Sequence, residues 1–356
     1  MTEQIRIACI PGDGIGPEVV TEARRVLEAV AQVHGGLTFE YDDFPWSCTY
    51  YLEHGEMMPD DALDTLSDFD TILLGAVGWP GVPDHVSLWG LLIPIRRHFQ
   101  QFVNLRPVKL LRGMQSPLRD REPGDIDFVV VRENSEGEYS DIGGRIHSGT
   151  EFEAAMQVNY FSRMGIHRTV RYAFELAVSQ GRKEVLGATK SNGIVYSMPF
   201  WDEIFEEVGR DYPSIESRLL LADALAAFFV TRPHTMDVVV ASNLLGDILT
   251  DIGAAIMGSI GVAPAANLNP DRTAPSMFEP VHGSAPDIAG QSISNPIGQI
   301  WSAKMLLDFY GMPELGDRVM DAIETTLVRG TKTPDLGGNA RTAEVGDAIV
   351  DHILHA

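Results

Sequence analysis

The chain has 356 residues, 44% hydrophobic and 22% charged, with a formal net charge of -23. That balance fits a soluble globular chain with enough apolar surface for a large core. It argues against nucleic acid and anionic membranes as partners, because both need a positive field.

No apolar run reaches the roughly 18 residues of a transmembrane helix. The N-terminal "MTEQIRIACI" lacks the basic, apolar, small order of a secretory signal, so a cytoplasmic protein is expected. Cys9 and Cys48 are the only cysteines and suggest neither a disulfide framework nor a zinc site.

In chain order, "IRIACI" predicts a strand and "GPEVVTEARRVLEAVAQVHGG" a helix ending at a Gly pair. "TFEYDDF" and "DTILLGAVG" follow as strands, then "IDFVVVREN", "EVLGATKSN" and "DVVVASN", each breaking into polar residues. The stretch "SEGEYSDIGGRIHSGTEFE" predicts a hairpin or arm. This βαβ-like rhythm predicts an α/β fold with a partly parallel sheet. No linker or repeat is visible, so a second domain must be an insertion.

The turn "IPGDGIGPEV" looks like a phosphate-binding loop after a strand. A dinucleotide fingerprint needs a third glycine where Pro17 stands. It also needs an acid about twenty positions later, and Glu40 and Asp42 come too late. The pattern reads instead as a tight strand-to-helix turn, with Pro17 and Glu18 suited to a helix start.

Basic residues stand out in so acidic a chain. Arg96, Arg97 and Arg106 lie in "LLIPIRRHFQQFVNLRPV", and Arg132 and Lys190 follow strand-like runs. Carboxyl ends of strands line the crevice of an open α/β sheet. Guanidinium forks suit a dicarboxylate, although salt bridges are the commoner role of any single arginine. In "ASNLLGDILTDIGA", Asp247 and Asp251 share one face if helical, which brings like charges together. Asp223 stands alone in the apolar "LLLADALAAFFV", where a buried carboxylate would need a partner. The three acids are either an oxygen-rich site for Mg²⁺ or Mn²⁺ or ordinary capped and paired carboxylates. "FEPVHGSAPDIAGQSISNPIGQ" is either a plain surface loop or one offering N–H groups to phosphates and an acid to a ribose.

Together "NLRPV", "VVRENSEGEY", "SNLLGDILTD" and "EPVHGSAPDIAG" closely resemble the β-decarboxylating 2-hydroxyacid dehydrogenases, nearly end to end. The resemblance implies a non-Rossmann, isopropylmalate dehydrogenase-like α/β fold with two domains around a large mixed sheet. Residues 1–101 and 258–356 are expected to form the cofactor domain, and 102–257 an inserted, dimerising domain. Arg96, Arg106 and Arg132 match the arginines that hold substrate carboxylates, Tyr139 the proton donor to the enol, and Lys190 the base for the hydroxyl. Asp223, Asp247 and Asp251 match the ligands of Mn²⁺ or Mg²⁺. A K⁺-type monovalent requirement stays open. Lys190 and Asp223 are expected from the partner subunit, which implies a homodimer with shared sites. NAD is expected on His282, Gly283, Ser284, Ala285, Pro286, Asp287 and Ile288, with Asn295 and Ile15 nearby.

Asp287 and Ile288 stand where NADP-dependent isocitrate relatives carry Lys-Tyr, and a carboxylate there repels a 2′-phosphate. Before Arg96, Gly90 and Leu92 replace the Ser and Asn of isocitrate enzymes, so a third carboxylate would lack a partner. Trp89 is expected either to fill the space of a bulky C3 group or to pack in the core. With "GAVGWP" and "SLWG", these positions resemble the tartrate/D-malate branch. The activity so implied is NAD-dependent oxidation and decarboxylation of D-malate to pyruvate and CO₂, with tartrate as a related substrate. Alternatives are 3-isopropylmalate oxidation and a non-catalytic regulatory subunit of the same fold.

Overall fold

A computed structural model of the chain describes residues 3–355. It contains two compact units. One comprises the residues up to Gln101, Arg106–Ile126 and everything from Ala254 onward; the other comprises Phe102–Leu105 and Asp127–Gly253.

The first unit begins with β1 (Glu3–Gly12), the helix Gly16–His34, β2 (Leu37–Asp43) and β3 (Thr71–Ala76). β1 lies between β2 and β3 and runs parallel to both. In the helix, Val19, Val20, Ala23, Val26, Leu27 and Val30 recur at helical spacing and are all buried. Pro17 sits in the first turn, where a missing N–H is harmless. Gly35 ends the helix in the left-handed conformation and donates its N–H to the Ala31 carbonyl. Burying each Val or Leu stabilises this packing by roughly 1.5–3 kcal/mol.

The division between the units falls inside β4 (Val103–Lys109). The second unit holds β5 (Asp127–Glu133), β6 (Gly143–Ile146), β7 (Ala154–Gln157), β8 (Glu184–Thr189), β9 (Glu216–Leu221) and β10 (Val238–Ala241). Its main strands run parallel in the order β5, β10, β8, β9. β6 and β7 form a separate, exposed antiparallel ribbon, the arm that the Gly-rich composition announces. The helix Asn243–Met257 then leads back to the first unit. There β11 (Pro264–Leu268) and β12 (Ser276–Pro280) pair antiparallel, and β12 runs parallel to β3. The architecture is α/β with mixed strand directions. Among the described residues, no helix is long and apolar enough to cross a membrane.

The expected insertion 102–257 is not the compact unit observed: 106–126 and 254–257 pack with the first unit. Arg112 pairs with Asp321 at 2.9 Å and Glu324 at 2.5 Å. The Lys332 ammonium donates to the Gly113 carbonyl at 2.5 Å. Ser116 Oγ donates to the Ile256 carbonyl at 2.6 Å. These ties join segments far apart in sequence, so no local composition shift marks them.

The glycines of the opening turn have a steric explanation. A Cβ on Gly12 would sit 2.0 Å from the Ala76 carbonyl oxygen, and one on Gly14 would sit 2.0 Å from that of Ser284. The turn is therefore pressed between β3 and the loop after β12. The Ile15 N–H donates to the Ser284 carbonyl at 2.9 Å. Buried Asp13 accepts the N–H groups of Cys48 at 2.9 Å and of Thr49 and Gly78 at 3.1 Å.

Candidate active site

In the second unit, chemistry gathers at the carboxyl ends of the parallel strands, where open α/β sheets build sites. Arg132 is the penultimate residue of β5, and Lys190 directly follows β8. Asp223 is the second residue of the helix Ala222–Thr231 after β9, and Asn243 starts its helix just after β10.

Arg132 is buried, and its fork lies on the start of the helix Asn243–Met257. Its Nε donates to the Asn243 carbonyl at 2.9 Å, one Nη to Asn243 Oδ1 at 2.7 Å, and the other to Asp247 Oδ1 at 2.5 Å. The Tyr139 hydroxyl donates to the other Asp247 oxygen at 3.0 Å. Burial, and after it the charge of Asp247, push the Tyr139 phenol above its ordinary pKa. Tyr139 is therefore protonated at neutral pH. Gly246 makes this approach possible, since a Cβ there would lie 2.7 Å from Arg132 Cγ.

Lys190 donates to Asp223 Oδ1 at 2.9 Å, and this hydrogen bond holds the Asp223 carboxyl below its usual range. Asp223 is not the buried lone acid expected from its apolar surroundings. Its side chain is 67% exposed, because it occupies the first turn of a short helix rather than its middle. Lys190 is paired with it rather than with Tyr139 or Asp247. Asp247 and Asp251 do lie one turn apart on one helix, with Asp251 exposed. Among the described residues, no group of three His, Cys, Asp or Glu is placed to hold a metal ion. Asp223, Asp247 and Asp251 thus do not form a ligand set within one chain.

In the first unit, a cavity of about 190 Å³ opens at the carboxyl ends of β3 and β12. Leu92, Arg96, Arg106, Glu279, His282 and Gly283 contribute to its lining. Arg96 is buried and donates to Glu279 Oε1 at 2.7 Å, while Asn267 donates to the same oxygen at 2.7 Å. Arg96 Nε is buried without a partner, which leaves a donor for an incoming acceptor. Leu92 ends a π-helical turn, Leu88–Leu92, an irregularity frequent at functional sites. Trp89, half-buried in that turn, lies beneath the Arg97 guanidinium, which stands 5.1 Å from its ring centre. Trp89 is not among the residues lining the cavity.

His282 is buried, and its Nδ1 bonds to the Gly283 carbonyl at 2.9 Å. Burial draws its pKa below the ordinary value, so the imidazole is neutral and its partnerless Nε2 is an acceptor. From here the loop runs through Ser284, Ala285, Pro286, Asp287 and Ile288, with Asp287 exposed. Buried Ile15 meets the loop at Ser284. The Asn295 amide is already engaged, accepting from the Ile297 N–H and donating to Asp335 at 2.9 Å.

Residues 6–349 match the family described as isocitrate/isopropylmalate dehydrogenase. The chain belongs to that family. It is 58% identical, over 99% of its length and 98% of the relative's, to a probable tartrate dehydrogenase/decarboxylase of Bacillus subtilis (strain 168). It is 54% identical to a D-malate dehydrogenase [decarboxylating] of Escherichia coli (strain K12), over 99% of this chain and all of that one (100%). Among solved structures, an isocitrate dehydrogenase from Methylococcus capsulatus superposes with a TM-score of 0.89 at 32% identity, covering 99% and 100% of the two chains.

Sequence reasoning overlooked Asn243, Gly246 and Glu279. All three lie inside motifs it singled out. Glu279 had a signal of its own, an acid within the buried strand "SMFEP".

Proposed function

We propose that this member of the family oxidises and decarboxylates D-malate to pyruvate and CO₂ with NAD and a divalent metal, and uses tartrate as a related substrate. The reading rests on the full-length likeness, at 58% and 54% identity, to relatives bearing those names. Two features of the fold support it: the Arg132–Asp247–Tyr139 cluster, and the basic cavity holding Arg96 and Arg106.

The donor set fits a hard cation, being all carboxylate oxygen. Asp247 and Asp251 would hold Mn²⁺ or Mg²⁺ together with Asp223 of the partner subunit, a residue well exposed in the single chain. The partnerless Nε2 of His282 and the loop beginning there fit a nucleotide. When bound, the metal would supply Lewis acidity and NAD a hydride acceptor.

The remaining chemistry belongs to side chains. Arg96, Arg106 and Arg132 hold the two carboxylates of the substrate, and their burial strengthens each charge-assisted bond. Leu92, which lines the cavity beside Arg96, shapes the C3 side. Lys190 of the partner subunit takes the C2 hydroxyl proton, and Tyr139, kept protonated, supplies a proton at C3 once CO₂ has left. Asp287 accepts from the ribose hydroxyls and repels a 2′-phosphate, which favours NAD.

The shared site requires a homodimer. The second unit supports one by exposing Ile142, Ile146, Phe152 and Met156 on its arm and Val230 on the helix carrying Asp223.

The decisive experiment compares NADH formation with Mn²⁺ on D-malate, L- and meso-tartrate, 3-isopropylmalate and isocitrate. D-malate or a tartrate should win. A clear win for 3-isopropylmalate or isocitrate overturns the substrate assignment, and NADP matching NAD overturns the cofactor assignment.

A further inference from the structure

Between β12 and the helix Ile297–Phe309, residues 281–296 form neither helix nor strand. Such a loop stays in place only where hydrogen bonds fasten it. Its start is held by the Ile15 N–H on the Ser284 carbonyl at 2.9 Å. Its end is held by Thr342, whose N–H donates to the Ser292 carbonyl at 3.0 Å and whose hydroxyl donates to that of Ser294 at 2.7 Å.

Between those anchors lies Ala285–Gln291, the stretch containing Asp287 and Ile288. Most of its hydrogen bonds are internal. The Ile288 N–H donates to Ala285, the Gln291 N–H to Ile288, and the Gln291 amide to the Asp287 carbonyl. Among the described residues, the one hydrogen bond that ties this stretch to the body of its unit runs from the Gly290 N–H to Glu18 Oε1, at 2.9 Å. The other Glu18 oxygen accepts from the buried Ser294 hydroxyl at 3.0 Å and from Thr342 Oγ1 at 3.5 Å.

An acid in a helix's first turn is ordinarily explained by the positive end of the helix. Here both carboxylate oxygens are also occupied by loop and C-terminal partners. We propose that Glu18 is a positioning residue for the cofactor loop, a clasp that holds Asp287 in register for the nucleotide ribose without touching the nucleotide. The inference rests on the NAD reading above and adds how this chain sets its affinity.

The test compares Glu18→Ala and Glu18→Gln with the wild-type enzyme. The glutamine carbonyl can still accept from Gly290, whereas alanine cannot. Glu18→Ala is expected to raise KM for NAD and Kd for NADH on the order of tenfold, the scale of one charge-assisted hydrogen bond. kcat and KM for D-malate should stay within about twofold. Amide hydrogen exchange in 285–291 should quicken on the order of tenfold, because opening no longer breaks the Glu18 bond. Glu18→Gln should restore most of both effects.

Unchanged exchange in Glu18→Ala overturns the clasp. So does a glutamine variant as impaired as alanine, since only the helix-end charge would then matter. A wild-type chain that binds no NADH overturns the functional reading and with it the affinity claim. The exchange readout, which needs no nucleotide, separates that failure from a failure of the clasp.

Discussion

Gly246→Ala puts a single methyl group against Arg132. The added Cβ would lie 2.7 Å from Arg132 Cγ and 2.8 Å from Arg132 Cβ. Carbon atoms pack at about 3.5–4.0 Å, so something must yield by about 1 Å. Arg132 Cβ is carried by the strand β5 and cannot swing aside. Two stability effects then oppose each other. Alanine is favoured over glycine in a helix interior by about 1 kcal/mol, while overpacking costs about 1–3 kcal/mol. The net destabilisation is about 0–2 kcal/mol, which a protein of this size survives with a shift of a few degrees in Tm. Catalysis is far less tolerant, because a misplacement of about 1 Å in a positioning group costs about 10²-fold. Gly246→Ala is therefore expected to lower kcat/KM for D-malate about 100-fold while remaining folded at the assay temperature. The assay is NADH formation with Mn²⁺, paired with a thermal melt. A kcat/KM within about threefold of wild type would refute the reasoning, and so would a loss that merely follows unfolding.

Asp247→Asn should lose most activity even in excess Mn²⁺, and near-normal turnover would sink the metal assignment. The same substitution removes a charge that raises the Tyr139 pKa, so ultraviolet titration should show that phenol ionising at lower pH than in wild type. His282 is neutral and buried, with its folded pKa below the unfolded value of about 6.5. Its contribution to stability is intact above that pH and is lost as pH falls toward the folded pKa, because only the unfolded chain takes up the proton. Urea denaturation at about pH 7.5 and pH 5.5 should therefore show a smaller acid loss in His282→Asn than in wild type; equal losses would contradict this. Cys9 and Cys48 are free, with thiols pushed up to about 12 by burial. Neither should react quickly with a thiol reagent at about pH 8 until the chain is denatured, and a fast native thiol would count against the packing.

The strand-end placement of Arg132 and Lys190 was legible because each apolar run breaks abruptly into polar residues. The same local signal gave the helix Gly16–His34, its Pro17 start and its Gly35 end. It failed for Asp223, where the surrounding composition suggested a buried acid. A helix of ten residues, Ala222–Thr231, that starts one residue before Asp223 leaves that side chain in solvent. It failed again at the unit boundary, because Arg112, Gly113 and Ser116 are fastened by residues distant in the chain.

Periods of two and 3.6, turn residues and caps act within a few residues, so strands, helices and candidate side chains could be read from the order of amino acids. Partners could not. Arg132 and Asn243 lie 111 positions apart, Arg96 and Glu279 183, and Glu18 and Gly290 272. Which of them meet depends on strand order, on β10 lying beside β5 and β12 beside β3. That order is set by the packing of whole elements, so only the tertiary structure could turn separate charged residues into an oriented arginine, a protonated tyrosine and a clasped loop.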